Sequence, residues 1–214
     1  MGNRPARLGV ARSVALPPFT VSWDYRCPFA RNAHEHLVTA LKAGADWDVT
    51  FAPFSLTQSH VAEGEPSVWD TPDKAPDLLA LNAGVVVRDK FPDKFLDAHE
   101  ALFAARHDES GDIREAAVVR KALESVGVDV DAVFAELEQS WPDDEVRKTH
   151  EWEVGTHHMF GVPTFIVGDR AVFVRLMTRP KGDAERAHST IEHVVQLIDE
   201  RPWINEFKYT SVRR

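Results

Sequence analysis

Cysteine is almost missing from this chain. Cys27 is the one thiol in 214 residues, which excludes a disulfide framework within the sequence. Long apolar runs are missing too: no stretch approaches the roughly 18 consecutive apolar residues of a membrane-spanning helix. Positive charge is in deficit. The formal net charge is −9, whereas a nucleic-acid binder needs a basic stripe. Binding to an anionic membrane surface is disfavoured on the same ground, and the acidic excess serves solubility. Gly-x-Gly-x-x-Gly, a P-loop and Gly-x-Ser-x-Gly do not occur, so neither a nucleotide nor a flavin is expected. His150, His157 and His158 lack the spacing of zinc ligands, and His34 and His36 fall on different helix faces, so no metal is expected.

What is present can bury a core: 43% of residues are hydrophobic and 28% charged. Residues 1–18 read as a leader. Three arginines precede no uninterrupted apolar stretch, so the leader does not resemble a signal peptide, and a reducing cytoplasm is the expected location. Phe19, Val21 and Trp23 alternate as in a half-buried strand. A helix is predicted from Pro28 to about Lys42, and a second strand from Asp48 to Phe54. Strand signals then vanish until His158. Helical patterns cover Leu78–Val87, Pro92–Arg106, Ile113–Val126, Val130–Gln139 and Pro142–His158, with Glu63–Pro76 expected as a loop. The acid runs Asp129–Asp131 and Asp143–Glu145 suit helix starts. Strands return at Val162–Val167 and Ala171–Val174, followed by an amphipathic helix over Asp183–Glu200. The expected fold is α/β: a βαβ unit, a helical insertion, then ββα. The boundaries are 19–56 and 159–202 for the sheet-containing domain, 57–158 for the insertion and 203–214 for a C-terminal tail.

The chemistry-bearing segment is Asp24-Tyr25-Arg26-Cys27-Pro28-Phe29-Ala30. A thiol reacts as its thiolate, and a helix start offers unpaired N–H groups and a favourable dipole. Cys27 is therefore expected to ionise more readily than a free thiol, aided by Arg26 and Arg31 if these point inward. Asp24 suits either a proton relay to sulfur or a turn carboxylate, and a charged Asp24 would oppose the helix field. Trp23 reads as core. Phe29, beside the thiol, suits substrate contact. Pro163 alone reads as a strand-edge proline.

The motif Asp24-x-x-Cys27-Pro28-Phe29, the placement of the insertion, and Gly161-Val162-Pro163-Thr164-Phe165 together resemble thioredoxin-fold proteins of the DsbA type. The resemblance covers residues 19–200. It implies a cis Pro163 facing Cys27, with Val162 and Thr164 flanking a bound thiol and Pro28 at the helix start. The tail Trp203-Ile204-Asn205-Glu206-Phe207-Lys208-Tyr209-Thr210 is similar to that of the actinobacterial, cytoplasmic branch of mycothiol-dependent reductases described as nitroreductases. That branch usually carries Cys-Pro-Trp-Cys, and this chain reads Cys-Pro-Phe-Ala. Ala30 cannot resolve a mixed disulfide, so the expected cycle is monothiol. Cys27 attacks a disulfide or an electrophile, and an outside low-molecular-weight thiol, mycothiol or glutathione, frees it. Two other readings stand beside it: a transferase or isomerase like the kappa-class enzymes, which activate a bound thiol, and a redox-inactive binding protein that kept the fold. Either a monomer or a homodimer is compatible with the sequence.

Overall fold

The computed structural model describes residues 15–206 and 208–209. Residues 1–14 of the leader, and Phe207 and residues 210–214 of the tail, lie outside the described residues. A four-stranded sheet is ordered β2-β1-β3-β4. β1 (Phe19–Trp23) runs parallel to β2 (Val49–Pro53), with Phe19 opposite Val49 and Trp23 opposite Pro53. It runs antiparallel to β3 (Thr164–Val167), which pairs in turn with β4 (Arg170–Phe173). β1 is thus a central strand, and Phe19, Val21 and Trp23 are all buried.

Helix α1 (Pro28–Lys42) follows β1. Pro28 opens it at no cost, since its missing N–H would have been unpaired. The helix buries Ala30, Ala33, Leu37, Val38 and Ala40, and it also buries His34 and His36. It packs against α8 (Ala184–Glu200) on one side and α4 (Pro92–His107) on the other. The insertion is built around α3 (Leu79–Lys90), which touches α4, α5 (Ala116–Glu124), α6 (Val130–Leu137) and α7 (Trp141–His157). α3 is apolar nearly all round, with Ala80, Leu81, Ala83, Val85, Val86 and Val87 buried, as a central helix must be. Each fully buried valine there contributes about 1.5–3 kcal/mol.

The predicted strands and helices form with boundaries shifted by a few residues. Glu63–Pro76 is not a plain loop: it holds two short 3-10 segments, Val68–Asp70 and Pro72–Leu78. A one-turn helix, α2 (Leu56–Ser59), also escapes the sequence pattern, being too short to show a period. It is capped by Ser55, whose side chain accepts the Gln58 N–H at 3.1 Å. α5 begins after Ile113 because Asp112 instead accepts the Arg114 N–H and forms a turn. β3 begins at Thr164, since the Val162–Pro163 bond is cis and Pro163 has no N–H to pair.

Candidate active site around Cys27

The turn between β1 and α1 is built by Asp24. Its carboxylate accepts the Arg26 N–H and the Leu56 N–H, both at 2.8 Å, and so ties this turn to the start of α2. Its carbonyl accepts the Cys27 N–H at 3.1 Å. Cys27 then adopts an extended conformation (φ −93°, ψ 119°) and caps α1, with Sγ accepting the Ala30 N–H at 3.4 Å. From the other side, the thiol donates to the Val162 carbonyl at 3.2 Å, so the loop carrying cis Pro163 lies directly on the sulfur. Three bonds hold that loop. Thr164 N–H donates to Ser22 Oγ at 2.9 Å, Thr164 Oγ1 donates to the Gly161 carbonyl at 2.7 Å, and Val174 N–H donates to the Pro163 carbonyl at 3.1 Å.

Cys27, Asp24, Val162, Pro163 and Thr164 therefore meet, although 135 positions separate the thiol from Val162. Pro28 is exposed at the mouth, and Phe29 is half-buried beneath the guanidinium of Arg175. Thr164 is buried and turned toward Gly161, behind the loop rather than at its surface.

The electrostatic expectation is overturned. Burial pushes the Cys27 thiol above its ordinary range. The Ala30 and Phe29 N–H groups oppose that shift, and the charge of Asp24 adds to it. The helix start does stabilise the thiolate, but Cys27 as a residue is only 8% exposed and its thiolate loses more by desolvation. Its bond to the Val162 carbonyl also requires the protonated form. Neither nearby arginine offsets this. Arg26 turns to Asp77 at 3.4 Å and to Thr57, and Arg31 turns to Asp108. Burial likewise raises Asp24, against the lowering pull of its two backbone partners and Arg26. Both carboxylate oxygens serve the turn, which favours the structural role for this residue. Replacing Asp24 with asparagine removes a minor contribution to the raised Cys27 thiol and is expected to speed iodoacetamide alkylation at pH 8 modestly, by about twofold. The same change is expected to cost about 1–3 kcal/mol, because an amide NH2 cannot accept one of the two N–H groups. Unchanged or slower alkylation would remove Asp24 from the thiol's electrostatics.

The sequence pattern also misses a buried chain of hydrogen bonds behind the site. His34 Nε2 lies 3.0 Å from the Ser22 carbonyl, His99 Nε2 2.9 Å from His34 Nδ1, and Tyr25 Oη 2.8 Å from His99 Nδ1. A carbonyl only accepts, so His34 must donate from Nε2 and accept at Nδ1; His99 must then donate from Nε2, and Tyr25 must donate to His99. Every proton is assigned by the one carbonyl at the end. All three side chains are fully buried, and desolvation keeps the imidazoles neutral, with His34 pushed down to about 4 and His99 well below its usual value. The His107 ring bonds the Tyr25 carbonyl at 2.9 Å, fixing the active-site turn to the end of α4. The available signal was histidine at apolar helical positions, among Ala33 and Leu37 in α1 and Phe95 and Phe103 in α4. A cavity of about 140 Å³ opens over this pair between α1 and α4, rimmed by Arg31, Glu35, Asp108 and Arg179.

Among the described residues, no group of three or more His, Cys, Asp or Glu is arranged to hold a metal ion. No described helix is long and apolar enough to cross a membrane. Comparison with curated protein sequences found no match. Among solved structures, Pseudomonas aeruginosa DsbA is similar at 16% identity and a TM-score of 0.53, covering 92% of each chain. The cytosolic disulfide reductase DsbM of Pseudomonas aeruginosa, solved with GSH, is similar at 15% identity and a TM-score of 0.56, covering 84% of this chain and all of that one. A 2-hydroxychromene-2-carboxylate isomerase is similar at 14% identity and a TM-score of 0.56, covering 85% of this chain and 98% of that one. At such identities the likeness shows the fold. The family described as the DSBA-like thioredoxin domain matches residues 20–178, and with that match, and with Cys27 capping α1 under a cis-proline loop, the chain belongs to that family.

Proposed function

We propose that this protein is a thiol-disulfide reductase working through one thiol, in a reducing cytoplasm, with mycothiol or glutathione as co-substrate. The observation that carries the reading is the Cys27 sulfur held between the Ala30 N–H and the Val162 carbonyl, with no sulfur in the next turn. The cycle balances with one cysteine. The Cys27 thiolate attacks a disulfide R–S–S–R′, forming Cys27–S–S–R and releasing R′–S⁻. A small-molecule thiolate then attacks that mixed disulfide, releases Cys27 and leaves as a disulfide. A protein that introduces disulfides is strongly oxidising when its reduced thiolate is stabilised; here the thiolate is disfavoured, which supports the reducing direction.

A second reading has one observation in its favour. A thiol that donates its hydrogen to the Val162 carbonyl at 3.2 Å suits an enzyme that orients a bound thiol cofactor for conjugation or isomerisation rather than one that exchanges disulfides. Turnover separates the two. With bis(hydroxyethyl) disulfide and a thiol regenerated by its NADPH-linked reductase, NADPH consumption dependent on Cys27 is expected, and Cys27→Ser should fall to the uncatalysed rate. Consumption that is equal with and without Cys27 would rule out the exchange reading.

A further inference from the structure

Three arginines stand near the mouth of the Cys27 site, and two of them are neutralised. Arg26 pairs with Asp77 and Arg31 with Asp108. Arg175 is exposed and makes no ion pair with any described residue. Its guanidinium carbon lies 5.4 Å from the centroid of the Phe29 ring, two residues beyond the thiol. Such a contact keeps the cation's charge while fixing its place.

The chain around Arg175 is held rather than loose. On its N-terminal side, Val174 N–H donates to the Pro163 carbonyl, so the backbone leaves the sheet beside the loop that covers Cys27. On its C-terminal side, Asn32 donates to the Leu176 carbonyl at 2.8 Å, the His36 ring bonds the Thr178 carbonyl at 3.1 Å, and Arg179 pairs with Glu35. Residues 176–179 are therefore strapped along α1, and Arg175 is presented at the first turn. The carboxylate of Glu206 in the tail feels the charge of Arg175, but Lys208 already occupies it at 2.6 Å. Phe160 is 71% exposed and packs on Phe173, 5.2 Å between ring centroids, and the chain runs from it into Val162.

We propose that Arg175 makes the Cys27 site selective for anionic thiols and disulfides, favouring a carboxylate-bearing thiol such as glutathione over an uncharged one such as mycothiol. The inference rests on the exchange reading above and adds the charge class of the co-substrate. The chain as a whole carries a net charge of −9 and repels anions. A preference for an anion must therefore come from a local cation that no carboxylate pairs with among the described residues, and Arg175, held on the Phe29 ring, meets that description. A guanidinium also matches a carboxylate in geometry, with two parallel N–H donors.

The test measures the rate of adduct formation on the full-length reduced protein by intact mass. Three disulfides of similar size are used: anionic dithiodipropionate, neutral bis(hydroxyethyl) disulfide and cationic cystamine. Each rate is divided by that of the same reagent with a free small thiol, because the three leaving thiols differ in pKa and the more acidic one leaves faster. The expected order of these relative rates is anionic, neutral, cationic, with about a tenfold span at low salt that shrinks as ionic strength rises. In Arg175→Gln the span is expected to collapse, while Arg175→Lys should keep part of it. Any change in the Cys27 pKa in these variants affects all three reagents alike, so the ratios isolate the contact. Equal relative rates in the wild type, the highest relative rate for cystamine, or an unchanged span in Arg175→Gln would overturn the proposal and leave the exchange reading standing. No adduct with any of the three would overturn both.

Discussion

Gly84→Ala is expected to destabilise the protein by about 3–5 kcal/mol, the sum of an overpacked core and a broken buried hydrogen bond. A Cβ at this position of α3 would lie 2.8 and 3.0 Å from Tyr25 ring carbons, and closer still to its hydroxyl. Tyr25 has nowhere to go. It is fully buried, its hydroxyl is tied to His99 at 2.8 Å, and its ring packs on Phe103 at 4.8 Å and on Trp23. The backbone on either side is held by His107 and Asp24. Movement of this ring strains the turn that delivers Cys27 to the helix start, so thiol reactivity should change along with stability. Urea unfolding of the single variants and of the Tyr25→Phe, Gly84→Ala pair gives the coupling. The alanine is expected to cost less in the phenylalanine background, where the closest obstructing atom is gone. A loss under about 1 kcal/mol in the wild-type background would contradict the packing described here.

Stability is expected to fall steeply as pH drops from about 6.5 to 4. His34 is pushed down to about 4 by burial, against the raising effect of its bond to the Ser22 carbonyl. His150, set against Phe54 and accepting the Ser55 N–H at 3.2 Å, is also pushed down to about 4 by burial. Both have folded-state pKa values below the unfolded value. Their contribution is therefore fully present above pH 6.5 and is lost as pH falls toward 4, where the unfolded chain binds protons that the native chain refuses. Each such histidine adds about 1.4 kcal/mol per pH unit to the slope within that window. The two together give a loss of several kcal/mol, a large share of the stability of an ordinary domain. Urea midpoints measured at intervals between pH 7 and pH 4 check this. His150→Gln is expected to flatten the slope by the share of one histidine, whatever it does to stability at pH 7. A flat profile above pH 5 would mean that these imidazoles titrate in the native state.

The parts of the fold with local causes were legible in the sequence. The apolar period of α1 and α8, the proline that opens α1 and the alternation in β1 depend on neighbours within a few positions, and they form as the pattern requires. The 3-10 segments after α2 did not show, because segments of three and seven residues are too short to carry a readable period and Pro66, Pro72 and Pro76 suggested a loop. The thiol was legible in the same way, from the strand before it and the proline after it. Its ionisation was not. The helix start is a local feature, but the burial that outweighs it needs the distant loop that brings Val162 onto the sulfur, and the partners that draw off Arg26 and Arg31 are Asp77 and Asp108 in the insertion. The chain from Tyr25 through His99 to His34 links positions 74 and 65 apart. No spacing rule connects them, and each histidine alone looks like one more helical residue.

The central claim is that Cys27 exchanges disulfides as a lone thiol because Ala30 stands one helical turn on. Positions three apart on a helix face lie about 5–6 Å apart, within the span of a disulfide. Intact mass after brief exposure to oxidised glutathione or oxidised mycothiol, followed by removal of the reagent, tests the claim most directly in the wild type and in Ala30→Cys. The wild type is expected to hold one adduct until the matching reduced thiol is added. Ala30→Cys is expected to shed it unaided and close an internal disulfide. No adduct on the wild type with either reagent, together with slow alkylation of Cys27 at neutral pH, would contradict the account and leave a thioredoxin fold that binds without exchanging.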